Sequence, residues 1–358
     1  DCGFAHNISF DSNLLDYNES YDNRVPSSVI VAYYKEIATY LHETYSIDKG
    51  LIVDVGCGKG TFLKIVSEMF PKARGLGIDP SYEGDKQISN GRISFIKDLF
   101  SEKHIGERPS VVICRHVLEH ISHPVSFLKS IHSALEAFPQ TPLFLEVPDT
   151  TWIIQNGAFW DFCYEHCNYF TPHSLSNALK MAGFAPPHTI RTAFGNQYIW
   201  IESNHPKGNS EFQWGAGEAA SANIVSKLTR YSDNELALIS EMRKRLCDLR
   251  GDGYLIAIWG MATKGIVFSF LVDSDKTLID FCIDINPNKQ GGFVPLTGHS
   301  IEAPSILHKA GSRPLVVVVM NTNYFSEIKN TCTALSLEPL FMDANGNSNR
   351  FLGPYDAP

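Results

Sequence analysis

The sequence predicts an α/β protein: a Rossmann-like domain, a long helix, and a second, smaller Rossmann-like α/β domain. Three observations predict it. Strand-sized apolar runs alternate with helical periodicity over residues 51–147, the pattern of a parallel sheet with helices on both faces. A charged, helix-forming stretch fills 217–250. A second strand-loop-helix pattern begins at Tyr254. A chain of 358 residues has room for two or three domains.

The elements follow in order. Residues 1–23 are polar and turn-rich. A helix is expected over 28–42, where Ile30, Tyr33, Tyr34, Ile37 and Leu41 recur at helical spacing. Leu51-Ile52-Val53-Asp54-Val55 is the first strand, and 61–70 a helix ended by Pro71. Strands are expected at 73–79, 93–96, 110–114 and 142–147, with a helix over 124–138 before the last. The second pattern has strands at 254–259, 279–284 and 316–320, the first feeding Gly260-Met261-Ala262-Thr263-Lys264-Gly265.

Composition narrows the function classes. The net charge of −9, without a dense Lys/Arg stripe, weighs against a nucleic-acid partner. No apolar run reaches the length of a membrane span. Asp1-Cys2-Gly3-Phe4 carries no basic or apolar leader, so no signal peptide is expected; with no initiator methionine, the chain is expected to begin inside a longer protein. The eight cysteines (Cys2, Cys57, Cys114, Cys163, Cys167, Cys247, Cys282 and Cys332) are scattered, which suits a reducing cytoplasm. Cys163-Tyr164-Glu165-His166-Cys167 is the tight cluster, and with no second one beside it no metal site is expected.

The chemical signal starts at Asp54-Val55-Gly56-Cys57-Gly58-Lys59-Gly60, which follows a strand and opens a helix. Glycines permit tight turns and close backbone approach, and a helix N-terminus offers free N–H groups. The Gly-x-Gly-x-Gly spacing departs from the Gly-x-Gly-x-x-Gly dinucleotide fingerprint. Gly77-Ile78-Asp79 puts a carboxylate at the end of the second strand, about twenty residues on, where a ribose diol needs an acceptor. Ile96-Lys97-Asp98-Leu99-Phe100 ends the third strand, and Cys114-Arg115-His116-Val117-Leu118-Glu119-His120-Ile121 the fourth. Singly these fit blander readings: a generic βα turn or an NAD site, a solvated turn acid at Asp79, a helix N-cap at Asp98. For His116 and His120, helix-start packing fits better than catalysis.

Taken in order, the four segments resemble class I S-adenosylmethionine-dependent methyltransferases, and Leu118-Glu119-His120 is similar to a stretch of many small-molecule members. The resemblance implies S-adenosylmethionine as cofactor. Asp54, Gly56, Gly58, Gly60, Asp79, Asp98, Leu99, Arg115 and His116 would hold it, with Asp98 reading the adenine amino group.

A second constellation, Phe159-Trp160-Asp161-Phe162-Cys163-Tyr164-Glu165-His166-Cys167-Asn168-Tyr169-Phe170-Thr171-Pro172-His173-Ser174-Leu175, follows the fifth strand. That is a crevice position at the carboxyl ends of the strands. A Glu-His pair beside tyrosines can supply a base, its partner and an oxyanion donor; a lid helix with buried polar anchors fits as well.

Here the chain resembles the C-methyltransferases acting on nucleotide-linked 4-keto deoxysugars, through their Glu-His-x-x-Tyr-Phe motif. Trp259-Gly260-Met261-Ala262-Thr263-Lys264-Gly265, Asp284-Ile285-Asn286-Pro287-Asn288-Lys289-Gln290-Gly291, residues 295–304 and Met320-Asn321-Thr322-Asn323-Tyr324 are similar to that family's C-terminal domain. Cys2-Gly3-Phe4-Ala5-His6-Asn7, with Tyr17 and Tyr21, looks like the tail of its N-terminal zinc-binding domain. This implies that Cys2 is a leftover ligand of a zinc site in the full-length protein, outside this chain. The implied domains are a remnant at 1–26, the cofactor-binding domain at 27–205, a helical connector at 206–250 and the C-terminal domain at 251–358.

The implied chemistry, within deoxysugar biosynthesis, is methyl transfer to a carbon alpha to a carbonyl. His166 takes the proton, Glu165 orients it, and Tyr164 or Tyr169 assists the oxyanion. The Gly260–Gly265 loop would bind an anionic part of the substrate or serve packing alone. The sugar enzymes carry Tyr-His-Glu-His where Cys163, Tyr164, Glu165 and His166 stand, and Gly-Gly-Ser-Leu-Arg where Phe194-Gly195-Asn196-Gln197-Tyr198 stands. Other readings of the same loop are an O- or N-methyltransferase on a natural product or polysaccharide, a non-catalytic scaffold, and an oxidoreductase using the C-terminal domain.

Overall fold

The computed structural model describes residues 4–15, 27–205 and 217–348. Cys2, Tyr17 and Tyr21 lie outside the described residues. Two compact units form: Asp1–Asn23, Val31–Trp152 and Tyr164–Ser226 in the first, Arg24–Ile30, Ile153–Cys163 and Lys227–Pro358 in the second. No described helix is long and apolar enough to cross a membrane.

In chain order the first elements are β1 (Ala5–His6), α1 (Ser28–Tyr45), β2 (Leu51–Val55), α2 (Thr61–Met69), β3 (Arg74–Ile78), β4 (Gln87–Ile88), β5 (Ile93–Ile96), β6 (Val111–Arg115), α3 (Pro124–Ala134) and β7 (Leu143–Pro148). Then come α4 (Thr150–Gln155), β8 (Asn168–Tyr169), α5 (Pro172–Ala182), β9 (Thr189–Ala193) and β10 (Tyr198–Ser203). The eight-stranded sheet has the order β4-β5-β3-β2-β6-β7-β10-β9. Its centre, β5-β3-β2-β6-β7, is parallel, while β10 runs antiparallel between β7 and β9.

All five β2 residues are buried, as a central parallel strand with both faces covered requires. Helix α1 buries Tyr33, Ile37, Ala38 and Leu41, one stripe of a 3.6-residue period. Helix α5 is framed by its ends. Thr171 and Ser174 form a capping box, Pro172 opens the first turn, and Gly183 closes the last at φ 99°.

The expected helix at 124–138 stops at Ala134, because the Leu135 amide is shared between the Ile131 and His132 carbonyls and a turn follows to Phe138. The β9–β10 hairpin is an addition to the expected elements. Its turn holds Phe194, Gly195 and Asn196 all at positive φ.

The second unit contains most of α6 (Gly217–Gly251), then β11 (Leu255–Trp259), α7 (Thr263–Val272), β12 (Phe281–Ile283), β13 (Ile301–Glu302), β14 (Leu315–Val319), α8 (Phe325–Ala334) and β15 (Leu340–Asp343). Its sheet, β13-β12-β11-β14-β15, is wholly parallel. The strand order reverses at β11 and β14, as in a doubly wound fold. Leu255, Ala257, Trp259, Val317, Val319 and Ile328 sit in its core. At the start of α7, Lys264 donates to Asp161 at 2.8 Å, within the same unit. Asp273, at the end of α7, accepts from the amides of Thr277, Leu278 and Ile279.

Candidate active site

The site of the first unit is built at the carboxyl ends of its parallel strands. Beyond β2, the amides of Gly56 and Cys57 both reach the Ile78 carbonyl, at 2.8 and 3.3 Å, tying the loop to β3. Gly56, Gly58 and Gly60 stand at φ 77°, 53° and 75°. A Cβ at Gly56 would lie 2.1 Å from Val117 Cγ2, and one at Gly60 2.5 Å from the Phe95 ring. Both positions therefore exclude a side chain by conformation and by space.

Asp79 is oriented by its own chain. The Gly58 amide donates to Oδ2 at 2.8 Å; the Ser81 amide and hydroxyl donate to Oδ1, each at 2.7 Å. Oδ1 is thereby satisfied, while Oδ2 keeps a lone pair for a further donor. Lys59 turns away, its Nζ 2.7 Å from the Ser81 carbonyl and 3.3 Å from Glu83. Asp54 is buried beneath the loop. Its carboxyl is pushed up to about 7 by burial and by Asp79, against the pull of Arg115. Asp98 and Leu99 lie on the exposed rim, where Asp98 Oδ1 accepts from the Leu99 amide at 2.9 Å and Oδ2 stands 3.5 Å from His104.

Arg115 and His116, at the end of β6, join a buried network around Glu146 on β7. Arg115 donates to Glu146 through Nε at 3.2 Å and a terminal nitrogen at 3.0 Å, and packs over the Tyr34 ring at 4.5 Å. Tyr33 donates its hydroxyl to the other Glu146 oxygen. His116, at φ 54°, sits between two carboxylates, Nε2 2.9 Å from Glu146 and Nδ1 3.4 Å from Glu119. Burial alone would lower its pKa, but the two carboxylates outweigh burial and raise it to about 9. Burial would likewise raise Glu146; Arg115 and His116 overcome that and bring it down to about 2.

The turn after His116 meets the segment before α5. Asn168 donates to the carbonyls of Leu118 and Ile121 at 2.9 and 2.7 Å, and Cys167 Sγ lies 3.4 Å from the Glu119 carbonyl. His120 and His166 are thereby brought ring to ring, 4.8 Å between centroids at 74°. Glu119, His120 and His166 each offer one donor atom within 4.8 Å of the others. Burial acts upward on the Glu119 carboxyl, but the hydrogen bond to His116 and then the neighbouring imidazoles hold it below its usual value.

The expected catalytic residues divide. Tyr169 is buried, its ring 6.2 Å from that of His166. Glu165 contributes its backbone carbonyl, 3.0 Å from His120 Nδ1, and the carboxylate grouped with His166 is that of Glu119. Tyr164 is 40% exposed, and its hydroxyl accepts from the Asp11 amide at 3.0 Å. Strand β1 pairs with β8, Ala5 opposite Tyr169 and His6 opposite Asn168, so residues 4–11 brace this segment. Sequence reading left out Glu119, Glu146 and Asn168, and passed His120 over as packing. The available signal was the charged Leu118-Glu119-His120 triplet itself, at the end of a strand where α/β proteins place their sites.

Chemically, the arrangement offers a glycine-lined loop with an oriented carboxylate, Asp79, beside it. Beside the turn after β6 it offers two imidazoles against a buried carboxylate, a combination suited to general base work.

Residues 31–188 match the family model of a methyltransferase domain. Residues 211–336 match that of a C-methyltransferase C-terminal domain. No curated protein sequence matches the chain. Solved structures overlap it in part. The 1,6-didemethyltoxoflavin-N1-methyltransferase of Burkholderia thailandensis is 17% identical over 49% of this chain and 79% of its own, with a TM-score of 0.38. An O-methyltransferase family protein from the same organism is 14% identical over 50% and 58%, TM-score 0.38. The N,N-8-amino-8-demethyl-D-riboflavin dimethyltransferase of Streptomyces davawensis is 19% identical over 49% and 56%, TM-score 0.37.

Proposed function

We propose that this chain, a methyltransferase by its two domain matches, transfers the methyl of S-adenosylmethionine to a carbon alpha to a carbonyl. The proposed substrate is a nucleotide-linked keto-deoxysugar or a related natural-product intermediate. The observation that carries the reading is the group Glu119–His120–His166, since a carbon alpha to a carbonyl has no electron pair to offer until a base takes its proton. The match of residues 211–336 to a C-methyltransferase domain supports it.

The loop fits the cofactor, being bare of side chains at Gly56, Gly58 and Gly60, with Asp79 held as an acceptor and Asp98 and Leu99 on its rim. S-adenosylmethionine, when bound there, supplies an electrophilic sulfonium methyl and departs as the thioether. His166 removes the α-proton of the substrate, and the C–H electron pair becomes the enolate that accepts the methyl. Glu119 steadies the imidazolium so formed, with His120 packed against it. Tyr169, buried beside His166, is the tyrosine for the oxyanion. Glu165 fixes the ring of His120 through its carbonyl. Positioning and general base catalysis of this kind are worth roughly 10²–10⁴-fold for the base alone.

His166→Gln should abolish turnover and leave S-adenosylmethionine binding, read by calorimetry, unchanged. Unchanged turnover would remove His166 from the role. Fragmentation of the product by mass spectrometry should place the methyl on carbon; a methyl on oxygen or nitrogen overturns the reading.

A further inference from the structure

We propose that Glu119, His120 and His166 form a binding site for one divalent ion of the zinc class, and that the ion competes with proton abstraction at His166. The donors have the makeup for it. Two imidazoles and one carboxylate are a familiar zinc donor set that leaves a fourth position open, and here their donor atoms lie within 4.8 Å of one another.

Glu119 supplies the strongest second observation. It is 2% exposed, and while His116 holds Oε1 at 3.4 Å, Oε2 is buried with no hydrogen-bond partner. A buried carboxylate oxygen left unmatched is costly, and a cation is what would match it. His120 is prepared as well. Its Nδ1 lies 3.0 Å from the Glu165 carbonyl, which can only accept, so the proton sits on Nδ1 and Nε2 carries the lone pair. A ring nitrogen tied to a backbone carbonyl is the usual support of a metal-bound histidine. Asn168 pins the turn that carries both ligands through the Leu118 and Ile121 carbonyls. Bonds of about 2.0–2.2 Å set tetrahedral ligands roughly 3.4 Å apart, so binding draws the donor atoms together by up to about 1.4 Å through side-chain rotation.

The competition follows from one lone pair. A His166 nitrogen that binds the ion cannot take a proton, and any proton it holds leaves as the ion enters. This second half rests on His166 being the base; the binding half does not.

The test is a titration of the whole chain with Co²⁺, then displacement by Zn²⁺. One ion per chain should bind, with visible d–d absorption and without thiolate charge-transfer bands, which distinguishes the site from the cysteines. Glu119→Gln, His120→Gln and His166→Gln should each weaken binding more than about a hundredfold, beyond the loss typical of outer partners. Near-ultraviolet circular dichroism of each variant controls for folding. Zn²⁺ should inhibit turnover over the same concentration range in which it displaces Co²⁺. Absence of binding, thiolate bands, or affinity unmoved in well-folded variants overturns the site. Full turnover with Zn²⁺ bound at the three residues leaves the site standing and overturns the competition.

Discussion

Glu146 holds Arg115 by two hydrogen bonds to a single oxygen, at 3.2 and 3.0 Å, in surroundings that leave the carboxylate no solvent contact. The pKa of Glu146 is lowered from 4.5 to about 2. A depressed folded pKa contributes stability that is present above the unfolded value and lost as pH falls through the folded one. The window is therefore about pH 4.5 down to about 2. Urea unfolding followed across that range should show stability falling with pH. Glu146→Gln should flatten that fall, and at neutral pH should cost about 3–5 kcal/mol by leaving Arg115 buried without its partner.

Gly56→Ala places a Cβ 2.1 Å from Val117 Cγ2 at a φ of 77°. Strain and overpacking together should lower stability by about 2–4 kcal/mol. Movement of Val117 should also shift the turn that carries Glu119 and His120. Thermal unfolding and cofactor calorimetry should both register the change.

Asp79 and Asp98 should separate in cofactor affinity. Asp79 organises the loop through the Gly58 amide and is the proposed ribose acceptor, so Asp79→Ala should weaken S-adenosylmethionine binding about a hundredfold, near 3 kcal/mol. Asp98 is exposed, and Asp98→Ala should cost about tenfold or less. Equal losses would contradict this division.

In the second unit, Lys264→Ala removes the 2.8 Å ion pair that Lys264 makes with Asp161. The pair is partly exposed, at 26% and 11%, so the expected cost is about 1–2 kcal/mol. A lower urea midpoint for the second unit, restored in part by Lys264→Arg, checks it.

Local pattern carried much of the fold into the sequence. β2 and β5 stand where their apolar runs placed them, and β3, β6, β7, β11 and β14 within a residue or two, because a buried parallel strand is apolar on both faces. The β9–β10 hairpin escaped notice: Thr189–Ala193 is largely exposed, and its turn uses Phe194 and Asn196 at positive φ, which composition does not announce. The β1–β8 pairing joins residues more than a hundred and fifty positions apart and leaves no local trace. At the site, the turn glycines after β2 and the place of Asp79 after β3 were legible, because both follow directly from apolar runs that mark the strand ends. Glu119 was not, since nothing in Leu118-Glu119-His120 says that the middle carboxylate is the buried one.

The antiparallel placement of β10 against β7 also sets an order of events during synthesis. Strand β7 pairs residue for residue with β10, from Pro148 opposite Tyr198 to Leu143 opposite Ser203. Roughly 50 residues separate the two strands, about 3–10 s of translation at ~5–20 residues per second. For that interval the emerging chain carries a six-residue, mostly apolar strand with a bare edge, a condition prone to mispairing with another chain. The nascent protein is therefore open to edge pairing with other chains after β7 has left the ribosome and before β10 has.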